Sequence, residues 1–499
     1  MKENTNQFLD DELHEECGVI GIVSKENNVF APIYQGLQGL QHRGELGCGM
    51  ATSYENKINC YKEIGLVNDV LQPKYLVQLK GMSGIGHTRY ATSSVEDLEK
   101  RENAIKKLHP MIGELNENSS FAVVFNGNLT NYNCLRKQLN DFNFETSTDT
   151  EVIKNLIIKN YGKENTLESS LKLSYRLMQG AYNITVLDNL GNIYFLKDGH
   201  GFKPASLGVL ENNKGYIVAS ETRAFDFAKA IAKRDIGAGE LLTITNDLKL
   251  NSYQLPIKEK SLCIFEYVYF ASIDSIIEGI TVNDARVRLG KQLLKEQPLR
   301  FSRWEKEKWR IVGVPDSGMP AATAYSNESG IKIRIGLVRN RYYTKRTFIN
   351  GNEEDRENAA LLNSEKYNVI KSAVEGKNII LIDDSIVRGN TMQKTIKRLR
   401  EKGGAKSVHV KSTFPEIRYP CYMGVDFPTH KELIAYNKTL EQICKEIGAD
   451  SLQYISTEGL LRAVRRIPFY KKINSDMGYC LACVNNHYSC PVEDELKLD

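Results

Sequence analysis

The sequence has no long hydrophobic run and little excess of charge of either sign. No window of the 499 residues reaches the roughly 18 apolar residues that a membrane-spanning helix needs. The 66 basic and 62 acidic residues leave a formal net charge of only +4, spread along the chain. Internal repeats and low-complexity tracts are also missing. We therefore expect neither a membrane nor a nucleic acid as a partner.

The first sixteen residues lack the features of an export signal. The segment MKENTNQFLDDELHEE carries six acidic groups and no apolar stretch, which fits neither a secretory signal nor a transit peptide. The chain has ten cysteines at wide, irregular spacings. Without an export signal, such cysteines are expected to be thiols in a reducing compartment, some of them holding metal. The sequence thus predicts a cytoplasmic enzyme.

The chain is long enough for two or three domains, and its pattern changes near the middle. Residues 17–257 alternate short apolar strands with helical stretches and contain a hairpin that turns at Asn189 to Asn192. This mixture predicts packed layers rather than a doubly wound sheet. Residues 258–499 contain apolar strands separated by helical stretches, which is typical of a parallel sheet. The strands predicted for that sheet are RIVGVPDSG, IKIRIGLVRN, KNIILIDDS and AKSVHVKSTF.

The segment NIILIDDSIVRGNT, Asn378 to Thr391, predicts an anion site in the second half. A buried strand ends in Asp383 and Asp384, and a short loop then leads into a helix. Ligands of open α/β sheets bind beyond the carboxyl ends of strands, and a helix N-terminus offers free N–H groups to a phosphate. The two carboxylates suit sugar hydroxyls or Mg²⁺, although an acidic pair that only caps the helix is the alternative. The loop residues of this predicted cradle are Ser385, Arg388, Gly389 and Thr391.

This segment resembles the type I phosphoribosyltransferases, which bind 5-phosphoribosyl-1-pyrophosphate (PRPP). The resemblance implies that the carboxylates hold the ribose hydroxyls and that the loop holds the 5-phosphate. A second matching piece, VPDSG, implies pyrophosphate and Mg²⁺ contacts through Asp316 and Ser317. A third, Val338 to Ile349, mixes basic and aromatic residues and is expected to be a flap that closes over PRPP. The implied Mg²⁺ ligands are Ser317, Asp383 and Asp384.

Cys17 directly follows the acidic leader and opens an apolar strand. Neither His14 nor His42 forms a recognisable pair with it. A cysteine can also be activated by its own α-amino group, whose pKa is near 8, but only when it is the first residue. We therefore expect a propeptide, residues 1–16, that is removed after Glu16. The alternative is that Cys17 is an ordinary buried strand residue.

Four further motifs favour the nucleophile. QHRGELGCG, GIGHTRYAT, FNGNLTNY and STDTEV follow Cys17 in this order and resemble the class II glutamine amidotransferases, whose N-terminal-nucleophile fold stacks two sheets between helices. The resemblance implies an arginine clamp for the glutamine carboxylate, an aspartate for its α-amine and an Asn-Gly oxyanion hole, groups that suit these tasks chemically. The implied glutamine-binding residues are Arg89, Thr92 and Asp149, and the implied oxyanion residues are Asn126 and Gly127.

Together the two halves resemble one family, the glutamine PRPP amidotransferases. The expected fold is an α+β N-terminal-nucleophile domain of four αββα layers, followed by an α/β phosphoribosyltransferase domain with a parallel sheet. The implied reaction hydrolyses glutamine at Cys17 and channels ammonia to C1 of PRPP, giving 5-phosphoribosylamine, pyrophosphate and glutamate as the first step of de novo purine synthesis. The resemblance further implies regulation by purine nucleotides and a homodimer or homotetramer.

Cys480 and Cys483 form a single CxxC, which alone is compatible with a redox pair or half a zinc site. The family resemblance adds Cys263 and Cys421 as the remaining ligands of a structural [4Fe-4S] cluster, in the branch that is made with a propeptide. Zinc fits the same four thiolates and remains the alternative.

Several positions depart from the family pattern without removing a predicted catalytic group. Two alternatives to the purine enzyme therefore stay open: a divergent paralogue that aminates another activated acceptor, and a non-catalytic PRPP-sensing protein. Detection of pyrophosphate release would argue against both. The departing positions are Glu45, Leu46, Gly199, Lys203, Ser272, Leu361, Asn390 and an apparent insertion around Thr344 and Lys345.

Overall fold

The structure, a computed structural model, describes most of the chain in six stretches. The described residues are 17–25, 28–90, 101–340, 366–427, 429–465 and 478–497. The predicted propeptide, Thr92 and most of the predicted flap lie outside these stretches. No helix within the described part of the chain is long and apolar enough to cross a membrane.

Two antiparallel sheets dominate the N-terminal half. The first has seven strands in the order β11-β9-β10-β1-β4-β2-β3, and the second has six in the order β13-β12-β8-β7-β6-β5. The strands are β1 Gly18–Ser24, β2 Gly47–Tyr54, β3 Lys57–Ile64, β4 Ser83–Arg89, β5 Met111–Asn116, β6 Ser119–Leu129, β7 Gly180–Asp188, β8 Ile193–Lys197, β9 Ser206–Leu210, β10 Gly215–Ala219, β11 Ala230–Asp235, β12 Glu240–Ile244 and β13 Leu250–Gln254.

The two sheets stack face to face between layers of helices. Val19 and Ile85 of the first sheet pack against Val124 and Phe195 of the second in one buried cluster. The outer face of each sheet packs on helices through a separate apolar cluster. The predicted four-layer αββα arrangement is thus confirmed. Its helices are α1 Phe30–Gly39, α2 Val67–Val70, α3 Arg101–Lys106, α4 Tyr132–Gln138, α5 Asp149–Glu164, α6 Leu167–Leu177 and α7 Arg223–Phe227.

The C-terminal half is built on a four-stranded parallel sheet in the order β17-β20-β21-β22. Its strands and the shorter ones around it are β14 Leu262–Cys263, β15 Ile276–Ile277, β16 Ile280–Thr281, β17 Trp309–Gly313, β18 Leu337–Arg339, β19 Tyr367–Val369, β20 Asn378–Asp383, β21 Ser407–Ser412, β22 Ser451–Tyr454 and β23 Tyr479–Cys480. The helices are α8 Val282–Glu296, α9 Arg303–Lys306, α10 Met319–Ser329, α11 Lys371–Val374, α12 Asn390–Glu401, α13 Leu440–Ile447, α14 Thr457–Arg465 and α15 Ala482–Asn485.

One predicted strand of this sheet is wrong. The stretch IKIRIGLVRN touches the sheet only through an isolated bridge between Ile311 and Ile333. Its end, β18, instead pairs antiparallel with β19 outside the sheet. Ile331 is buried but Ile335 is 63% exposed, so the apolar alternation does not mark a strand that is covered on both faces. The fourth strand is β22, which the sequence pattern did not reveal.

The two halves meet across a buried ion-pair network. Arg43 of the N-terminal half is 1% exposed, and its guanidinium lies 2.5 Å from the Glu221 carboxylate and 2.9 Å from that of Glu266. The other Glu221 oxygen accepts hydrogen bonds from the Ser272 N–H at 2.8 Å and the Ser275 hydroxyl at 2.6 Å. Burial alone would raise the pKa of Glu221, but His42 and Arg43 hold it well below its ordinary value. The division at residue 258 is therefore spanned by strong charge-assisted contacts.

Candidate active sites

The strand pairing places Cys17 beside Arg89. Gly18 pairs with Thr88 in the antiparallel register of β1 and β4. Cys17, one residue before Gly18, therefore lies opposite Arg89, one residue after Thr88. The Gly18 N–H also donates to the Thr88 hydroxyl at 3.2 Å. A Cβ at Gly18 would lie 2.7 Å from that hydroxyl, so only glycine allows this close approach. The predicted nucleophile and the predicted carboxylate clamp are thus brought together.

Arg89 is almost fully buried. Its guanidinium donates a hydrogen bond to the carbonyl of Lys107. Burial lowers the pKa of Arg89, while the thiolate form of Cys17 and the carboxylate of Asp149 oppose that shift as nearby negative groups. Gly44 of the QHRG turn also packs tightly on the backbone of Arg89, since a Cβ there would lie 2.5 Å from its carbonyl carbon. The predicted clamp is thus held in place by contacts within the chain.

Asp149 lies in the first turn of α5, directly after the Thr148 N-cap. Its carboxylate accepts a hydrogen bond from the Leu129 N–H at 2.9 Å, which ties it to the end of the strand that carries Asn126. Burial raises its pKa to about 6, against the Leu129 hydrogen bond and the Arg89 charge, which lower it. A carboxylate that burial disfavours in its charged form gains stability when an ammonium group binds beside it.

Asn126 and Gly127 have the features of an oxyanion hole. The side-chain Nδ2 of Asn126 is buried and has no hydrogen-bond partner among the described residues. An unsatisfied buried donor is costly, so it is usually explained by a ligand or a water. Gly127 has φ of +150°, and a Cβ there would lie 1.9 Å from the carbonyl oxygen of Ala181. Only glycine can therefore form this part of the strand.

Two buried histidines pack against the neighbours of Asn126 and Asp149 in the predicted glutamine site. His109 Nδ1 lies 3.1 Å from His87 Nε2, which also lies 3.0 Å from the carbonyl of Phe125. His109 Nε2 lies 2.6 Å from the hydroxyl of Thr150, the neighbour of Asp149. Burial and the charge of Arg89 lower the pKa of His87 to about 3, so the pair is neutral at physiological pH. The motif search missed this pair, because His109 becomes a neighbour of His87 only through folding.

The second predicted site forms where β17 and β20 end side by side. Their parallel pairing brings Ser317 of VPDSG to Asp384, whose carboxylate accepts a hydrogen bond from the Ser317 hydroxyl. The Ser385 hydroxyl donates to the other Asp384 oxygen at 2.7 Å. Burial and the neighbouring Asp384 raise the pKa of Asp383 well above its ordinary value. The acidic pair is thus crowded and favours a cation.

The phosphate loop, residues 384–389, ends on Gly389 at the start of α12. Gly389 has φ of +85°, and a Cβ there would lie 2.3 Å from a methyl carbon of Ile434. The first turn of α12, which contains Thr391, follows directly and supplies the predicted helix N-terminus. Arg388 instead pairs its guanidinium with the carboxylate of Glu432 and donates to the carbonyl of Asp426 at 3.2 Å. The Asp316 side chain is 86% exposed, and its carboxylate lies 3.9 Å from the guanidinium of Arg339, at the start of the predicted flap.

The four predicted cluster cysteines line one cavity. Cys263, Cys421, Cys480 and Cys483 all border it, and Cys263 pairs with Cys480 in the short β14–β23 ladder. None of the four forms a disulfide with another described residue. Burial raises the pKa of Cys263 and of Cys483 well above the ordinary value, with neighbouring cysteines adding to the shift. Within the described residues, no three His, Cys, Asp or Glu side chains are grouped so that they could hold one metal ion.

Comparison with known proteins decides the family. Residues 100–227 match the model of a glutamine amidotransferase domain, and residues 295–415 match that of a phosphoribosyl transferase domain. The amidophosphoribosyltransferase of Bacillus subtilis (strain 168) is 39% identical over 491 residues, covering 97% of this chain and 96% of the relative. The chain belongs to the amidophosphoribosyltransferase family. The member of this family from Methanothermobacter thermautotrophicus is 37% identical over 97% of both chains.

Solved structures of the family agree with the fold. The B. subtilis glutamine PRPP amidotransferase, solved in complex with ADP and GMP, matches with a TM-score of 0.83 and 36% identity over 96% of this chain and 98% of that one. A second structure, described as the allosteric regulatory enzyme of purine biosynthesis, matches with a TM-score of 0.84 and 36% identity over 96% of this chain and 97% of that one. The amidophosphoribosyltransferase fold therefore extends over both halves.

Proposed function

We propose that this chain is a glutamine-dependent amidophosphoribosyltransferase that forms 5-phosphoribosylamine from PRPP in purine biosynthesis. The observation that carries the proposal is that one chain of this family contains both sites. The first has a buried Asn126 amide without a hydrogen-bond partner among the described residues, on the strand whose Leu129 N–H donates to Asp149. The second has a crowded acidic pair beside a helix N-terminus.

In the glutaminase half, we assign Cys17 as the nucleophile. Arg89 would bind the glutamine α-carboxylate, and the ionised Asp149 would bind its α-amine. As the Cys17 sulfur attacks the side-chain amide, negative charge develops on the amide oxygen. The Asn126 amide and the Gly127 N–H would donate to that oxygen, in a site from which water is largely excluded. Ammonia then leaves, and water hydrolyses the thioester to glutamate.

Proton transfer in that half requires a base close to the sulfur. Removal of residues 1–16 would give Cys17 a free α-amine with a pKa near 8, which suits a base at neutral pH. His87 is unsuited, because a pKa of about 3 makes it too weak a base to accept the thiol proton, and its Nε2 already contacts Phe125 and His109. We therefore propose that the propeptide is cleaved between Glu16 and Cys17.

In the transferase half, Asp383 and Asp384 would accept the ribose hydroxyls while the phosphate loop binds the 5-phosphate. Ser317 holds Asp384 in position through its hydroxyl. Two carboxylates and a hydroxyl are oxygen donors that suit Mg²⁺, which usually takes its remaining ligands from water and substrate phosphates. When bound, Mg²⁺ would neutralise charge on the departing pyrophosphate. The orientation of the sugar by the acidic pair lets ammonia attack C1 from the side opposite the pyrophosphate.

We propose a [4Fe-4S] cluster, with a structural role, in the four-cysteine cavity. Cys263, Cys421, Cys480 and Cys483 all border that cavity, and four cysteine thiolates are the usual ligand set of such a cluster. Zinc fits the same four thiolates, and analysis of the bound metal and sulfide distinguishes the two. Iron and acid-labile sulfide should be found in the purified protein and lost in Cys421→Ser, but retained in the control Cys444→Ser.

We further propose that purine nucleotides inhibit this enzyme and that it assembles into a homodimer or homotetramer. The first proposal is supported by the ADP and GMP bound to the B. subtilis relative. Nucleotide titrations of the initial rate would test it, and light scattering would test the assembly.

The decisive experiment measures pyrophosphate release and glutamate formation from PRPP and glutamine with Mg²⁺. Both products should appear in equal amounts. Release of glutamate without pyrophosphate would instead indicate a different acceptor. Intact mass of the purified chain checks the N-terminus, which should be Cys17.

A further inference from the structure

A short loop lies between the two predicted sites and is closed on itself. We call residues 421–427 the bridging loop. The Cys421 N–H donates to the carbonyl of Phe427 at 3.1 Å, so the two ends of the loop are fixed to each other. Inside it, the Phe427 N–H donates to the carbonyl of Val425 at 3.0 Å. A loop tied in this way is displaced as one body rather than residue by residue.

One side of the bridging loop contacts the oxyanion strand. The Asn128 amide Nδ2 donates to the carbonyl of Tyr422 at 2.9 Å. Asn128 directly follows Gly127, so this bond fixes the strand next to the predicted oxyanion donors. Gly424 has φ of +105°, and a Cβ there would lie 3.6 Å from the carbonyl carbon of Gly127. The loop backbone is therefore in close contact with the oxyanion hole.

The opposite end of the bridging loop contacts the phosphate loop. Arg388 donates from Nη2 to the carbonyl of Asp426 at 3.2 Å, and its guanidinium is held in this position by Glu432. Beyond the bridging loop, the Ile434 N–H donates to the carbonyl of Val387 at 2.8 Å, which fixes the phosphate loop to the segment that also carries Glu432. Arg388 thus joins the phosphate loop to the bridging loop.

A third face of the bridging loop borders the four-cysteine cavity. Cys421, Met423, Val425 and Phe427 all line that cavity. Cys421 is one of the four predicted ligands, so the metal centre would anchor the first residue of the loop. The same few residues therefore contact both substrate sites and the cavity between them.

We propose that the bridging loop couples PRPP binding to glutamine cleavage and that Asn128 is a positioning residue for the oxyanion hole. This inference rests on the proposed function. Tyr422 and Asp426 are only four positions apart, so the two carbonyls that anchor the loop are at most about 14 Å apart. When phosphate draws the phosphate loop inward, Arg388 carries the Asp426 end with it. The displacement reaches the Tyr422 carbonyl and, through Asn128, sets the donors at Asn126 and Gly127.

The first test replaces the donor at the glutaminase end. Asn128→Asp keeps the shape of the side chain but turns a donor into an acceptor that faces the Tyr422 carbonyl. With PRPP present, the glutamine kcat should fall about tenfold, as expected for one lost hydrogen bond. The glutamine KM should stay within about twofold, because Arg89 and Asp149 are untouched. Ammonia-dependent PRPP turnover should not change.

Asn131→Asp is the matched control. Asn131 also donates from Nδ2 to a carbonyl at 2.9 Å, but the acceptor is Leu177 within the same half of the chain. This variant should lose comparable thermal stability and keep its glutamine kcat. Equal losses of kcat in the two variants would overturn the proposal, since a general weakening of the fold would then explain both.

The second test loosens the transferase end. Glu432→Gln weakens the ion pair that orients Arg388 and should lower the stimulation of glutaminase by PRPP about threefold, without changing glutaminase activity in the absence of PRPP. Glu446→Gln is its control, because Glu446 forms an ion pair with Lys438 on the surface. No effect of Glu432→Gln on the stimulation would contradict the coupling.

The double variant decides whether the two ends act together. If the loop transmits the signal, Asn128→Asp should abolish most of the additional effect of Glu432→Gln, so that the two losses do not add. Additive losses would overturn the coupling. The wild type is measured first: without PRPP-dependent pyrophosphate release the proposed function fails, whereas an active wild type with additive variants rejects only the role of the loop.

Discussion

The predicted glutamine site and the predicted PRPP site are organised in opposite ways. The glutamine site lies between paired strands, where Arg89 and Asn126 are buried and the Asp149 carboxylate is held by the Leu129 N–H. The PRPP site lies at the open ends of parallel strands, where Asp383 and Asp384 repel each other. The first is thus pre-organised for its ligand, whereas the second needs a cation and substrate to relieve its own charge. A difference of this kind makes the PRPP site the natural place to sense substrate.

Removal of the nucleophile should separate the two sites most clearly. Cys17→Ala should lower glutamine-dependent turnover by about 10⁴-fold or more, because no other thiol replaces the attacking sulfur. Ammonia-dependent turnover of PRPP should persist at close to the wild-type rate. Cys134→Ala, which removes an exposed free thiol, is the control. Loss of both activities in Cys17→Ala would mean that the two sites are not separable.

Neutralising the acidic pair should instead affect both nitrogen donors equally. Asp383→Asn removes one charge that holds ribose and Mg²⁺, and we expect about a 10²-fold loss of PRPP turnover with glutamine or with ammonia. Asp450→Asn is the control, since Asp450 lies at the opposite edge of the same sheet and accepts from the Val408 N–H. If only the glutamine-dependent turnover were lost, Asp383 would act in glutamine cleavage rather than in PRPP binding.

Removing the oxyanion donor should lower the rate rather than the affinity. Asn126→Ala is expected to reduce the glutamine kcat by about 10²-fold with little change in KM, because the donor acts on charge that develops in the transition state. Asn155 also has a buried Nδ2 without a partner among the described residues, but it lies within α5. Asn155→Ala should therefore leave kcat unchanged, and a similar loss there would remove Asn126 from the site.

The smallest effect concerns stability. The pKa of Asp149 in the folded chain is about 6, above its ordinary value of 3.8, so its contribution to stability is fully present below pH 4 and lost as the pH rises through 6. Ionised Asp149 thus costs about 2–3 kcal/mol at pH 7.5. Asp149→Asn should be more stable than wild type at pH 7.5 by up to this amount, with the difference vanishing near pH 4.

Denaturant unfolding at the two pH values measures this difference. Asp247→Asn should show no such gain, because hydrogen bonds from Lys249 and Thr245 lower the pKa of that exposed carboxylate to about 2. A wild type as stable as Asp149→Asn at pH 7.5 would mean that the glutamine site carries no electrostatic strain.

The sequence was most informative where chemistry depends on neighbouring residues. The IDDS segment predicts a site by itself, because strand, loop and helix follow one another along the chain, whereas Cys17 and the Asn-Gly pair are predicted only through the ordered motifs that resemble the glutamine amidotransferases. The pattern failed for IKIRIGLVRN, since alternating apolar residues do not reveal whether the exposed face will be covered. It also could not reveal that Arg43 meets Glu221, because the two are 178 positions apart.

The roles of Arg388 and Asn128 depend on contacts with residues that are distant in the sequence. The loop sequence predicts that Arg388 is a phosphate ligand, but in the structure its guanidinium forms an ion pair with the carboxylate of Glu432. The sequence indicates no special role for Asn128, because the hydrogen bond that it donates to Tyr422 spans 294 positions. Such contacts depend on how the halves pack, which composition and periodicity do not encode.

The bond between Asn128 and Tyr422 also bears on how this enzyme could be re-engineered. A glutaminase module cut at residue 257 would leave behind a segment that borders its own catalytic strand. Grafting the module onto a different acceptor domain would therefore require transplanting residues 421–427, or an equivalent surface, together with it. The functional module therefore includes residues that are close in the folded structure but distant in the sequence.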